Sequence, residues 1–343
     1  MDSLVVIGLN AVIMAVTEGA PRILTVRRAT HSLAEKLLSQ TNASRPETPD
    51  AIPFGPFDPA SDRTIELGLR RWVREQTGLE LGYVEQLYTF GDRNRDPSEV
   101  AGGPRVISIA YLALVREGKL SGTAGADWRD WYLFFPWEDW RSGKPALIEK
   151  HIAPALDRWT KAAPSGRTRQ ERRERSDINF GLGGAPWVPE RVLERYELLY
   201  EIELAVEALR DQSKESVSVG PGSPLSSWAQ QMGHAMTLDH RRMLATALGR
   251  LRGKLKYRPV VFELLPPTFT LLQLQRVVEA LAGIHLHKQN LRRLVETGGL
   301  VEGTGQLDQR TGGRPAELFR FRRNVLRERP APGVGIPGVR HAG

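Results

Sequence analysis

Residues 66–82 read ELGLRRWVREQTGLELG and carry three carboxylates, Glu66, Glu75 and Glu80. Gathered on one face, such acids could hold a divalent cation against a phosphate and activate water. The spacing opposes this. Glu66 and Glu75 are nine residues apart, about two and a half helical turns, so they point to opposite faces. Arg70, Arg71 and Arg74 stand among them, and a positive field repels a cation. The element that carries them is legible: Leu69, Trp72 and Val73 recur at helical spacing over 64–77, and Gly78 is placed to end the helix.

A second chemistry lies near the C-terminus. The run PTFTLLQLQRVVEALAG has Thr270 as a cap with Gln273 three residues on, and Leu271, Leu274, Val277, Val278 and Leu281 form one apolar stripe before Gly283. After the turn IHLH, the run KQNLRRLVETGG turns Leu291, Leu294 and Val295 inward and leaves Lys288, Gln289, Asn290, Arg292 and Arg293 for the outer face. Leu300–Glu302 and Glu317–Arg322 pair as a hairpin around a Gly/Thr/Arg tip. Helix, turn, helix and basic-tipped hairpin make a winged helix-turn-helix. Arginine or lysine at the start of such a second helix can donate to guanine, and Gln289 or Asn290 can pair with adenine. Arg314 at the wing tip suits a phosphate or the minor groove. His285 and His287 invite a metal reading, but an i, i+2 pair in a turn with no third ligand nearby does not make a metal site.

Charge agrees with a polyanion partner. Residues 1–240 hold 29 Lys/Arg against 33 Asp/Glu, whereas residues 241–329 hold 18 against 7. The rival is a solvated basic face on a protein-interaction or RNA-associated scaffold. Beyond Phe319 and Phe321, residues 258–323 carry no aromatic strands on which RNA bases could stack.

The chain has 343 residues, 41% of them hydrophobic, which suffices for cores in two domains or more. It has no cysteine, which excludes disulfides and thiolate sites and fits a reducing cytoplasm. Leu4–Val16 is too short for a membrane span and follows no basic n-region, so it reads as a buried strand leading toward Ile23–Val26. Residues 41–59 read as a loop, and 83–90 and 105–115 as strands. The aromatic stretch 130–140, which Pro136 keeps from being one helix, reads as a strand under a short helical segment. Residues 146–161 read as helix, 163–179 as a charged mobile insertion, and 189–213 as one long helix. Residues 216–227 read as a Ser/Gly/Pro linker, 239–254 as a helix capped by Asp239, and 330–343 as a disordered tail.

The segment RRWVREQTGL resembles the second half of the Nudix box. With the final glycine on Gly78, the arginine falls on Arg71, one glutamate on Glu75, and the aliphatics on Val73 and Leu79. The first glycine falls on Phe57, the upstream glutamate on Arg63, and the other two acids on Trp72 and Gln76. Together with YVEQLYTFGDRNRDP (83–97), RVISIAYLALV (105–115), the run from Phe269 to Leu300 and GGRPAELFRF, the chain resembles the Nudix-related transcriptional regulator family. The likeness covers roughly 3–145 and 236–323. The insertion 146–235 resembles a longer proteobacterial branch.

That resemblance implies an α+β fold: a Nudix-like α/β/α sandwich with a mixed sheet, a helical insertion and linker, and a C-terminal winged helix-turn-helix. It implies a ligand-sensing domain at 1–161, an insertion with a long helix at 162–238, a linker helix and DNA-binding domain at 239–329, and a tail. The implied function is a homodimeric, cytoplasmic repressor of NAD and nicotinate genes that binds double-stranded DNA, needs no cofactor or metal, and takes ADP-ribose or a related nucleotide as effector through a hydrolytically inactive Nudix-like domain. The alternative is an active Nudix hydrolase of a nucleoside diphosphate derivative. The implied cleft residues are Gln86, Arg95 and Asp96, with Arg27 and Glu75 beside them. Asp96 could equally be turn chemistry with Pro97, Tyr88 or Phe90 could stack on adenine or pack in the core, and Arg22 and Arg28 could meet phosphate or solvent. Leu244, Ala247, Leu248 and Leu251 on the linker helix could pack against a partner subunit or the winged helix, and a ligand-driven tilt there would change the spacing of two recognition helices.

Overall fold

The computed structural model describes residues 5–27, 49–93, 95–96, 99, 102–122, 125–212, 231–309 and 315–334. Arg28, Pro97, Arg314, the linker 216–227 and the end of the tail lie outside them.

A six-stranded mixed sheet organises the first half, in the order β4-β5-β1-β2-β6 with β3 also on β1. β1 (Val5–Thr17) turns at Glu18–Gly19 into antiparallel β2 (Ala20–Val26) and runs parallel to β5 (Arg105–Leu114). β4 (Tyr83–Phe90) and β6 (Ala126–Asp130) are the antiparallel edges. The segment read as a loop contains β3 (Phe54–Pro56), because it lies against Gly8–Asn10 of β1. Alternation along β1 splits the apolar residues. Leu9, Ala11 and Ile13 face α1 (Ile65–Thr77), and Val12 and Met14 face the rest of the chain. Gly78 ends α1 with φ 76, a left-handed conformation that suits glycine.

After β6, the aromatic stretch forms two short 3-10 turns, Trp131–Leu133 and Pro136–Glu138, and buries Trp131, Phe134, Phe135 and Trp137. A π turn at Ile148–Ile152 leads into α2 (Ala153–Lys161). The stretch read as a mobile insertion is instead a helix, α3 (Gly166–Phe180), capped by Ser165. Its inner side is held by Ser176 and Phe180 and by Arg172 stacked 4.5 Å over Trp159, rather than by an apolar stripe. The long helix is two, α4 (Val192–Glu201) and α5 (Val206–Gln212). Glu203 takes φ 60, and the amides of Leu204 and Ala205 return to the Leu199 carbonyl, closing α4.

α6 (His240–Leu255) matches its expected span, and Leu244, Ala247, Leu248 and Leu251 are buried within this chain. They join the second face of the sheet, α4 and the C-terminal unit in one continuous core. Asp239 does not cap α6 with its side chain, because that carboxylate is taken by Arg95. α7 (Leu271–Ala282) has the full capping box of Thr270 and Gln273. α8 (Lys288–Thr297), β7 (Val301–Asp308), β8 (Ala316–Phe321) and a final turn, α9 (Val325–Glu328), follow. The tail starts folded, since Val334 is buried and its amide donates to the Leu255 carbonyl. Among the described residues no helix is long and apolar enough to cross a membrane.

Much of the basic excess of 241–329 turns inward. Arg241 and Arg252 are fully buried, and Arg242 and Lys254 pair with Glu197 and Glu85. The part of that charge available to a polyanion is smaller than the sequence count.

Candidate functional site

On α1 and just beyond it, each acid of the opening stretch is taken by an arginine: Glu66 by Arg70 at 2.8 Å, Glu75 by Arg71 at 3.6 Å, and Glu80 by Arg74 at 3.6 Å. Arg71 also makes a two-pronged contact with Asp62, at 3.0 and 2.9 Å. Hydrogen bonding from Arg71 holds the Asp62 carboxyl below the usual carboxylate range. The acid that the box pattern places at Arg63 is therefore supplied one residue earlier. An acid beside the expected position, facing the box arginine, is a signal the fixed-spacing alignment missed.

The two positions that lost their acids have other work. Trp72 donates its indole N–H to the Pro56 carbonyl at 2.7 Å. Its ring lies so close over Gly55 that a Cβ there would sit 2.3 Å from it. Gln76 accepts from the Phe54 amide at 3.2 Å and donates to the Phe54 carbonyl at 2.6 Å, acting as a strand edge for β3. Where a Nudix enzyme would gather carboxylates, this helix is fastened to β3 by neutral groups. Among the described residues no three His, Asp or Glu side chains are gathered as a metal site.

The residues expected to line one cleft divide between the two faces of the sheet. Gln86 is exposed and paired in register with Tyr111, so it shares the α1 side with Glu75, which is half exposed. Arg95 lies on the other face. It donates to Ser108 Oγ at 2.7 Å and clasps the Asp239 carboxylate with two nitrogens. Only 7% of its side chain is exposed. Asp96 is half-buried on the same side, its charge felt by His240. Arg27 is exposed, with Nε 3.6 Å from Asp50. Tyr88 is exposed and packs edge-on against buried Phe90 at 5.1 Å. Arg22 is half-buried on β2.

Next to Asp239, His240 is fully buried and accepts the Ile52 amide at Nδ1, at 3.2 Å. Burial pushes its pKa down to about 4. The Thr237 amide donates to the Asp50 carbonyl, so three contacts tie the sheet side to the start of α6. Sequence reasoning missed Asp239 and His240 as partners because Arg95 lies 144 residues from Asp239 in the chain.

The C-terminal unit matches expectation closely. On α8, Leu291 and Val295 are buried and Leu294 is half-buried. Lys288, Gln289, Asn290, Arg292 and Arg293 are all exposed. Arg292 Nε donates to Glu296 at 2.8 Å. The preceding turn is held by Glu279, which accepts from the Leu286 amide at 2.8 Å and lies 3.1 Å from His285. β7 and β8 form the hairpin, extended by a bridge from Phe269 to Phe319, with Phe262 stacked on Phe321 at 4.4 Å. The two wing aromatics are thus committed to packing. An exposed polar helix on a helix-turn-helix frame with a hairpin beside it can enter a major groove.

Comparison with known proteins bears on the C-terminal unit and on the fold of the whole chain. Residues 261–321 match the NrtR DNA-binding winged helix domain. A curated protein of Acinetobacter baylyi, the ADPR responsive transcriptional repressor NtrR, is 40% identical over 86 residues. That match takes in 25% of this chain and only 34% of the relative. Crystal structures of Shewanella oneidensis NrtR, alone and with a 27mer DNA, align over 93% of this chain and 95% and 94% of theirs. The TM-score is 0.51 for each, at 19% and 18% identity. Residues 261–321 are thus similar to the NrtR DNA-binding winged helix domain, and the chain as a whole has the fold of Shewanella oneidensis NrtR.

Proposed function

We propose that this protein is a ligand-responsive repressor of NAD and nicotinate metabolism genes. Residues 239–329 bind double-stranded DNA, and residues 1–161 sense ADP-ribose or a related nucleotide without cutting it. The insertion 162–238 braces the two. The observation that carries the reading is the outer face of α8, where Lys288, Gln289, Asn290, Arg292 and Arg293 stand exposed on a helix whose other side is buried. The Acinetobacter relative, an ADPR responsive transcriptional repressor, supports both the repressor role and the effector. The protein acts in the cytoplasm as a homodimer, so that two α8 helices read half-sites one duplex turn apart.

Two measurements test this. In anisotropy titrations against DNA upstream of its own locus, Arg292→Ala lowers specific affinity by about 1–3 kcal/mol, the range of one bidentate base contact. Unchanged binding removes Arg292 from the readout. No ADP-ribose is consumed on incubation with Mg²⁺, while a thermal-shift assay reports its binding. Trp72 and Gln76 stand where two metal carboxylates are needed, and Glu75 is held by Arg71. Appreciable turnover would favour the hydrolase alternative. We assign the nucleotide to the α1 side, with Gln86 and Glu75; Arg95, committed to Asp239, and Asp96 lie on the opposite face, and Arg27 is exposed near Asp50. Loss of the thermal shift in Gln86→Ala, with the shift kept in Arg27→Ala, would restrict the nucleotide to the α1 side.

A further inference from the structure

α8 carries one acid, Glu296, and its presence calls for a reason. It is exposed, on a helix whose other charged residues are Lys288, Arg292 and Arg293. Facing a duplex, a carboxylate is repelled by every phosphate. Helix stability does not explain it either. Glu296 lies in the last turn, where the negative end of the helix dipole disfavours an acid. The Arg-before-Glu order of the pair is also the poorer orientation at i, i+4.

What Glu296 does do is hold Arg292. The contact runs from Arg292 Nε to Glu296 Oε1 at 2.8 Å, with side chains 60% and 44% exposed. With Nε engaged, the guanidinium is biased toward one orientation and its terminal nitrogens remain available. A guanine presents O6 and N7 side by side in the major groove, and two terminal guanidinium nitrogens match them. An arginine already held in one orientation has less side-chain freedom left to lose on contact.

We infer that Glu296 is a positioning residue that converts Arg292 from a general phosphate binder into a reader of one G·C pair. This rests on the DNA-binding reading above. Because the pair is neutral as a unit, it trades non-specific affinity for discrimination. Removing the acid should tighten binding to any duplex by charge alone, but it should lower discrimination at one base pair, and only while Arg292 is present, which a merely structural role would not do.

The test uses the full chain and a random-sequence duplex pool. The wild-type protein selects its preferred duplex, and anisotropy titrations then measure that duplex, its single-base-pair variants and a scrambled duplex. Glu296→Gln is isosteric and lies on the exposed face. Its expected effect is a loss of at least about fivefold in discrimination at one G·C pair. Binding to the scrambled duplex tightens and depends more steeply on salt. In an Arg292→Ala background the same substitution changes discrimination at no position. Discrimination retained at every base pair by Glu296→Gln, while the wild type still selects a sequence, overturns the inference alone. A wild-type chain that selects no sequence overturns the DNA reading, and this inference with it.

Discussion

Glu138→Gln destabilises the folded chain by about 3–5 kcal/mol, the usual cost of removing one partner from a buried ionic group. The Glu138 side chain has no solvent exposure and stands between two arginines that are themselves buried. Arg195 reaches both of its oxygens, at 2.5 and 2.9 Å, and Arg252 reaches Oε2. Burial alone would raise the carboxyl's pKa, but the two guanidinia outweigh it and hold the group below its ordinary value. Glutamine keeps the shape and removes the negative charge that stands between the two cations. The remaining donors do not compensate, because they are already given to carbonyls: Arg195 to Asn179, Val188 and Pro189, Arg252 to Leu281 and Pro189. Urea unfolding at neutral pH measures the loss. Glu171→Gln serves as the contrast, since the Arg167–Glu171 pair is 90% and 59% exposed and its loss changes stability by less than about 0.5 kcal/mol. Equal shifts for the two variants would mean that the buried group is not the anchor described.

The second large effect is a dependence on pH. His240 has a folded pKa of about 4 against an ordinary 6.5, with burial the leading cause, Arg95 and Arg210 acting in the same direction and Asp239 and Asp96 opposing. A histidine depressed in the folded state is kept neutral there and takes up a proton on unfolding. Its contribution is complete above pH 6.5 and is lost as pH falls from 6.5 toward 4, by up to about 3 kcal/mol. His234, also lowered by burial, adds in the same direction. His240→Asn retains an acceptor for the Ile52 amide and does not titrate. Its urea midpoint should fall less steeply than that of the wild type across this range. Parallel profiles would mean that other groups account for the acid sensitivity.

Legibility in the sequence followed the range of the interactions. α7 and its capping box, the α8 stripe and the left-handed glycine after α1 are set by neighbours within one or two turns, and they lie where the pattern placed them. α3 was hidden because its contacts are made by Arg172, Ser176 and Asn179 rather than by an apolar stripe. The break after α4 was hidden because the run of apolar and acidic residues continues through it, while Glu203 turns left-handed. Arginine was the hardest residue to place. Arg195, Arg241 and Arg252 look like surface charge by type, yet each is buried by carbonyls, a carboxylate or aromatic rings distant in the chain. Arg95 belongs with them: its motif suggests a phosphate, and its partner is Asp239.

The last turn of α7 gives its carbonyls away. Ala280 receives the Tyr132 hydroxyl at 2.8 Å, Leu281 receives Arg252 at 3.1 Å, and Gly283 receives the Trp140 amide at 2.7 Å. A reader cut out of one such regulator and grafted onto another would arrive with these groups bare. Exchange of operator preference between relatives would therefore proceed by point changes along α8, not by wholesale transplantation of the C-terminal third.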